Sequence, residues 1–360
     1  MSQTIPTIDL SKAESPLGRK ELLEKLRHAL LDVGFMYISN YAAYGLSPTL
    51  VQHLIDTLQP LFSLPSDVKN SAALVNSPHF LGYSSFGSEI TAAQADQREQ
   101  FELANELPGP GYQDPKGPLY LRLQGPNPGI FHPSLPYFHS KIDAYIASLT
   151  TLSSNFLTLV AEALSLPPKS LQSFTGPQNR LKLVHYRPSP DTFPDAQSQG
   201  VGPHKDSSGW MTFLLQASDP SIKGLQVLTK DGNWIDVPPV PGTLVVNMGQ
   251  AFEVVTNGVC KATTHRVLLP PGDYDRYSVP YFQGVRPELT KEDMKRLWGH
   301  FEPRNWDTKE SVEGQRIDSP FLRGEYETWG EAQLRTKIRS HRDVGKKWYQ
   351  EVYDKYVSDD

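Results

Sequence analysis

Cysteine is almost missing from this chain. Cys260 is the only one in 360 residues, so no disulfide can close within it, and a reducing compartment is the natural expectation. A surplus of positive charge is missing too. Lys and Arg number 35 against 40 Asp and Glu, a formal net charge of -5, which argues against nucleic acid because polyanion binders concentrate basic charge on one face. The most basic stretch, KIRSHRDVGKKWYQ, also carries periodic apolar residues and reads as the solvated side of a helix. The opening MSQTIPTIDLSKAESPLG has neither a basic start nor an apolar run, and no stretch approaches membrane-span length. A cytoplasmic protein with no membrane partner is therefore expected.

What is present is the composition of a globular chain, 38% hydrophobic and 21% charged, large enough to bury a sizeable core. Leu22, Leu23, Leu26, Leu30 and Leu31 recur at helical spacing and predict a helix ending near Gly34. The run FMYIS then reads as a strand. Ser47-Pro48 opens a second helix with a cap residue and a first-turn proline. From about residue 71 to 133 the chain is rich in Gly, Pro and Ser, and GYSSFGSE and ELPGPGYQDPKGP read as loops. A long amphipathic helix follows, with Ile142, Tyr145, Ile146, Leu149, Leu152, Phe156, Leu159, Val160 and Leu164 on one face.

Between about residues 180 and 282 the pattern changes to short β-type runs: LKLVHY, MTFLLQ, LQVLT, WIDVP, GTLVVNM, EVVT, HRVLL and YSVPYF. Turns rather than helices separate them, which excludes a parallel α/β sheet. The expected class is α+β with a mainly β core, a double-stranded β-helix (jelly roll) with flanking helices. The whole of 1–360 reads as one domain: a helical and loop region over 1–175, the jelly-roll core over 176–285, and a helical appendage over 286–360.

The stretch VGPHKDSSGWMTFLLQ places His204 and Asp206 two residues apart at the front of an apolar run. Residues two apart in a strand share a face. An imidazole nitrogen beside a carboxylate oxygen suits a divalent first-row metal, and a second histidine would leave positions open for reactants. His265, at the start of HRVLL, is the best-placed partner. His28, His53, His79, His132, His139, His300 and His341 read as surface or packing residues. Ten residues after His265 come Arg276 and Ser278, a planar fork and a hydroxyl on one strand face, suited to a carboxylate.

The order H-x-D, 58 residues, H, ten residues, R-x-S resembles the Fe(II)- and 2-oxoglutarate-dependent dioxygenases, and more narrowly their isopenicillin N synthase-like branch. IPTIDLS, LLDVGFMYISNY, LFSLPSDVKNS, FLGYSSFGSE and GTLVVNMGQAFEVVTNG extend the likeness over most of the chain. The resemblance implies that His204, Asp206 and His265 bind Fe(II) and serve the catalysis, and that Arg276 and Ser278 bind 2-oxoglutarate, with O2 as the other cosubstrate. In LVHYRP, Tyr186 stands at the second tyrosine of the family's Asn-Tyr-Tyr-Pro, whereas Val184, His185 and Arg187 depart from it. Tyr186 is carried over as a further cosubstrate contact. Phe282 matches a position that often faces substrate; Phe213, on the strand leaving the H-x-D, and Tyr83 and Glu89 in the early loops are further expected pocket residues.

The expected activity is oxidation of a C–H bond of a small molecule by hydroxylation, desaturation or rearrangement, in specialised metabolism. Two other readings remain open at this point. One is an Fe(II) oxidase of the same branch that does not use 2-oxoglutarate. The other is a non-catalytic jelly-roll protein with a structural metal, which would need a fourth protein ligand.

Overall fold

The computed structural model describes residues 4–91, 94–107, 114, 116–188, 199–207, 209–270, 272–301, 317, 319–324 and 326–358. Most of the loop reading for ELPGPGYQDPKGP, at 108–113 and 115, lies outside the described residues.

Among the described residues, fourteen strands form the β framework: β1 (Thr7–Asp9), β2 (Phe35–Ser39), β3 (Gly82–Ser84), β4 (Ile90–Thr91), β5 (Gln94–Ala95), β6 (Glu99–Ala104), β7 (Arg180–Tyr186), β8 (Gln199–His204), β9 (Met211–Gln216), β10 (Leu225–Leu228), β11 (Trp234–Asp236), β12 (Thr243–Met248), β13 (His265–Leu268) and β14 (Arg276–Phe282). Eight of them make a large sheet in the order β1-β2-β12-β9-β14-β7-β6-β3, and four make a small one, β11-β10-β13-β8. Every pairing is antiparallel except β1 with β2. The two sheets face each other across an apolar layer to which Phe35, Tyr37, Val184, Tyr186 and Val245 of the large sheet and Val201, Leu225, Val227 and Val267 of the small one contribute. This is a jelly roll, the expected class.

Strand alternation sorts the chemistry. On β7, β9 and β14 the side chains of Leu181, Leu183, Met211, Phe213, Val279 and Tyr281 join the outer core with the helices. The intervening residues point into the roll. Among the described residues ten α-helices surround it: α1 (Pro16–His28), α2 (Pro48–Phe62), α3 (Ser66–Ser71), α4 (Phe138–Ala163), α5 (Gln250–Val255), α6 (Lys291–Met294), α7 (Pro320–Arg323), α8 (Trp329–Ser340), α9 (Arg342–Trp348) and α10 (Gln350–Ser358). The outer core runs from Ile8 to Tyr356 without a break between the three expected regions.

The local signals explain several boundaries. Ser15 caps α1 by accepting from the Gly18 N–H, with Pro16 in the first turn. After α1 a single π-helical stretch, Ala29–Val33, ends at Gly34, where φ is +80° and an added Cβ would stand 1.8 Å from Thr263 Oγ1. Only glycine meets both demands. The 26-residue α4 corrects the expectation that no stretch approaches membrane-span length: it is long and apolar enough by composition. Its apolar positions, from Phe138 to Val160, are spent on the outer core, with Phe156 edge-on to Phe213 at 5.9 Å.

Two further expectations are corrected. EVVT is not a strand: Glu253–Val255 belong to α5, whose six residues are all buried. A short apolar run carries no reliable period, and α5 is fixed from outside, since the Gln250 N–H donates to the Asp206 carbonyl at 2.8 Å. Within the loop-rich region, EQFELA forms β6, paired with β7 along its length.

Candidate active site

The small sheet delivers two histidines to one place. In the β13–β8 pairing His265 lies directly opposite His204, and their rings are 4.3 Å apart between centroids. Asp206 follows two residues after His204, where β8 has ended. Its carboxylate is fixed by the large sheet: Thr212 Oγ1 donates to Oδ2 at 2.6 Å and Asn247 Nδ2 to the same oxygen at 2.7 Å. Oδ1 is left facing the imidazoles, 3.8 Å from His204 Nε2 and 3.6 Å from His265 Nε2. One ligand atom from each residue lies within 4.8 Å of the others. Lys205 turns aside to pair with Glu253 of α5 at 3.3 Å.

The protonation pattern suits a cation. His204 Nδ1 lies 2.8 Å from the Gly202 carbonyl and His265 Nδ1 3.1 Å from that of Thr263, so each ring donates outward and turns the Nε2 lone pair inward. Burial, reinforced by the neighbouring His265, holds the His204 imidazole below its ordinary pKa, in the neutral form that binds metals. Burial pushes the Asp206 carboxyl up, but the two imidazoles and the Thr212 and Asn247 donors outweigh it and keep it ionised. Three ligands about 2.1 Å from one ion, as first-row metals take them, stand about 3 Å apart, so these donors need only draw slightly closer. Two imidazoles and one carboxylate with an open side fit non-haem Fe(II).

Arg276 opens β14, opposite Tyr186 of β7, and is 1% exposed. One guanidinium nitrogen donates to Gln216 Oε1 at 3.2 Å, and the group stacks 5.0 Å from the Tyr186 ring centroid. Its other terminal nitrogen, Nη1, has no hydrogen-bond partner among the described residues. Ser278, two residues on and 3% exposed, points to the same face. Gly224 makes room for the arginine, for a Cβ there would sit 3.0 Å from its Nε. A buried guanidinium with a spare N–H beside a hydroxyl and a phenol fits a dicarboxylate's far end.

A cavity of about 230 Å³ opens beside the triad, lined by His204, Asp206, Phe282 and Glu89 among others. Phe282 and Glu89 thus line this cavity. Phe213 and Tyr83 do not. Phe213 is fully buried in the outer core against Phe156 and Tyr281, because Thr212, next to it on β9, takes the inward place. Tyr83 is buried against Phe101 and donates to Glu99 Oε2 at 2.6 Å; Glu99 alternates with the inward Arg98 and Gln100 and belongs to the outer face. His341 also departs from the surface reading: it is 3% exposed and lines the cavity with Lys337 of α8.

Sequence reasoning missed Arg98, Glu102, Lys182 and Lys337, which also line the cavity. For β6 the signal existed: Arg98, Gln100 and Glu102 alternate with Phe101 and Leu103, a half-buried strand pattern.

The sheet pair and this site define an oxygenase of the jelly-roll, two-histidine-one-carboxylate class. Two families match the sequence: the non-haem dioxygenase in morphine synthesis N-terminal family over residues 5–128 and the 2OG-Fe(II) oxygenase superfamily over residues 177–285. A 2-oxoglutarate-dependent dioxygenase, frbJ, of Dothideomycetidae sp. is 39% identical, with 96% of this chain and 92% of that one covered. A 2-oxoglutarate-dependent dioxygenase of Gibberella zeae is 35% identical over 97% of this chain and 92% of its own. Among solved structures, a 2OG-Fe(II) oxygenase family protein of Caulobacter crescentus superposes with a TM-score of 0.69 at 26% identity, covering 94% and 99% of the two chains. The full-length T7H of Neurospora crassa, solved with alpha-KG, shares the fold at a TM-score of 0.70 and 24% identity, over 93% and 96%. The chain belongs to the Fe(II)- and 2-oxoglutarate-dependent oxygenase family. It is a 2-oxoglutarate-dependent dioxygenase with Fe(II), 2-oxoglutarate and O2 as its cofactor and cosubstrates, which selects this reading over the 2-oxoglutarate-independent oxidase and the non-catalytic one.

Proposed function

We propose that His204 Nε2, Asp206 Oδ1 and His265 Nε2 hold the Fe(II), and that Arg276, Ser278 and Tyr186 hold the far carboxylate of 2-oxoglutarate. The observation that carries this is the convergence of the three ligand atoms within 4.8 Å. When bound there, iron supplies the coupling of keto-acid decarboxylation with O2 to oxidation of a substrate C–H bond. The chain's own residues bind and orient. Thr212 and Asn247 keep the Asp206 carboxylate turned, the Gly202 and Thr263 carbonyls fix both rings, and Phe35, edge-on to His265 at 5.3 Å, covers it from the apolar interior. Phe282 and Glu89 belong to the substrate wall.

The reading extends to the architecture: 1–360 acts as one catalytic unit, with 286–360 contributing Lys337 and His341 to the pocket. The substrate is a small molecule. We place the enzyme in the cytoplasm, on its unpaired, buried Cys260, and in specialised metabolism. Anaerobic addition of 2-oxoglutarate to the Fe(II)-loaded protein tests the site. A visible charge-transfer band is expected from wild type and a much weakened one from Arg276→Gln; a band of equal strength in both would remove Arg276 from the cosubstrate site.

A further inference from the structure

The cavity beside the triad is walled by charge. From the inner faces of β6 and β7 come Glu102, Arg180 and Lys182, from just before β6 comes Arg98, from α8 comes Lys337, and from the segment before β4 comes Glu89. Glu89 lies 2.8 Å from Arg98 Nη2 and 3.1 Å from Lys182 Nζ. Glu102 lies 2.7 Å from Arg180 Nη1 and 3.7 Å from Lys182 Nζ, and also pairs with Lys337. Asp96 lies on the same Arg98 Nη2, also at 2.8 Å. Four cations thus face three carboxylates, one positive charge in excess. Lys205 also lines the cavity but is balanced by Glu253 at 3.3 Å, and burial holds His341 at about 4, so neither adds net charge at neutral pH.

The iron site does not absorb the excess. The charges of Fe(II), Asp206, a 2-oxoglutarate dianion and Arg276 cancel among themselves. Nor are the cations equally committed. Arg180 is spent on structure, since it donates to the carbonyls of His79, Phe80 and Leu123 as well as to Glu102. Arg98 Nε has no hydrogen-bond partner among the described residues. Lys182 and Lys337 each offer three N–H groups and donate to one carboxylate apiece, Glu89 and Glu102. Of the acceptors only Glu89 is crowded, since it also receives Gln100 Nε2 at 2.6 Å, whereas Glu102 Oε2 has no hydrogen-bond partner among the described residues. An excess of buried positive charge with spare N–H groups is lowered in energy by an anion.

A second cavity of about 80 Å³ shares Arg180, Phe282 and Lys337 with the first and is otherwise lined by Tyr120, Leu123, Val285 and Trp329 among others. Phe282 therefore stands between a charged chamber and a more apolar one. At about 230 Å³ the charged chamber falls below the roughly 300–1,000 Å³ of sites for drug-sized ligands. We propose that the substrate oxidised by this enzyme is a small organic acid whose carboxylate docks on Arg98, Lys182 and Lys337 and whose carbon skeleton lies against Phe282. This rests on the iron and 2-oxoglutarate reading of the same site.

The test is calorimetric. Anaerobic Fe(II)-loaded protein saturated with 2-oxoglutarate is titrated with a set of aliphatic and aromatic monocarboxylates of two to ten carbons, each paired with its primary amide. At least one acid is expected to bind ten-fold or more tightly than its amide, and Lys337→Met is expected to weaken that acid at least ten-fold with 2-oxoglutarate binding unchanged. Amides that bind as well as their acids, or no binding by any acid, overturn the proposal, as does undiminished acid binding by Lys337→Met. Because the comparison of acid with amide is made on wild type, it stands even if the variant folds poorly. The preceding titration with 2-oxoglutarate separates the two failures: its absence would refute the iron-site reading, its presence without acid binding only the substrate class.

Discussion

Replacing Thr212 by Val removes one of the two donors that orient Asp206 and changes little else. The side chain is buried, its hydroxyl donates at 2.6 Å to Oδ2, and valine has nearly the same shape. Asn247 remains on the same oxygen at 2.7 Å, so the carboxylate keeps half of its support. A hydrogen bond to a charged group is worth about 1.5–3 kcal/mol, and loss of one supporting contact behind a metal ligand typically lowers metal affinity about 10- to 100-fold. Taking about 2 kcal/mol gives roughly a 30-fold weaker Fe(II) complex. The assay is anaerobic titration of the metal-free protein with Fe(II) or Mn(II), alongside urea unfolding to separate affinity from stability. Asn247→Ala should weaken the metal similarly, and the double variant should lose more than either, because Oδ2 is then unheld and Asp206 can turn. Full metal affinity in both single variants, with both folded, would refute the orientation argument.

Arg276→Lys should weaken 2-oxoglutarate by about ten-fold or more, since an ammonium cannot reproduce a planar fork, while the metal titration stays unchanged; equal 2-oxoglutarate affinity would contradict the assignment. Phe213→Leu should cost about 1 kcal/mol of stability, as a trimmed buried aromatic against Phe156, and leave substrate KM alone. Phe282→Ala should raise KM instead. Burial pushes the Glu99 carboxyl up, yet donation from His185, Lys69 and Tyr83 wins and lowers it from 4.5 to about 2. Its folded pKa being the lower, Glu99 stabilises the fold fully above 4.5 and loses that contribution as pH falls through about 2, an effect of about 3 kcal/mol. Urea unfolding of Glu99→Gln should therefore differ most from wild type at pH 7 and least near pH 2; a constant difference would contradict the assignment.

How far the sequence speaks depends on where each residue's partners lie. Most strands from β7 to β14 show in the sequence because their alternation is local, Leu181 and Leu183 going to the outer core while Lys182 and Val184 turn inward; β8, QGVGPH, is not among the runs that read as strands. The two histidines and Asp206 were legible through spacing. Their supports were not, since Thr212 and Asn247 look like ordinary strand residues until β9 and β12 are paired beside Asp206. EVVT misled because two valines suit a strand, whereas the Asp206 carbonyl, distant in sequence, anchors the first residue of α5. Lys337 and His341 sit in a basic segment that reads as solvated, and only the tertiary fold brings Lys337 to Glu102 of β6 and His341 to Glu89. Phe213 was misplaced by one step of strand parity, since its neighbour Thr212 turns to Asp206 while Phe213 faces the outer core, and Tyr83 is taken up by Glu99 and Phe101.

Iron stoichiometry tests the central claim most directly. Protein reconstituted anaerobically with Fe(II) and desalted should retain close to one iron per chain in wild type, and far less in His204→Ala, Asp206→Ala and His265→Ala, each with an unfolding transition still present and with 2-oxoglutarate-dependent succinate formation abolished. Undiminished iron in all three variants would contradict the account, because the metal would then be held somewhere other than between β8 and β13.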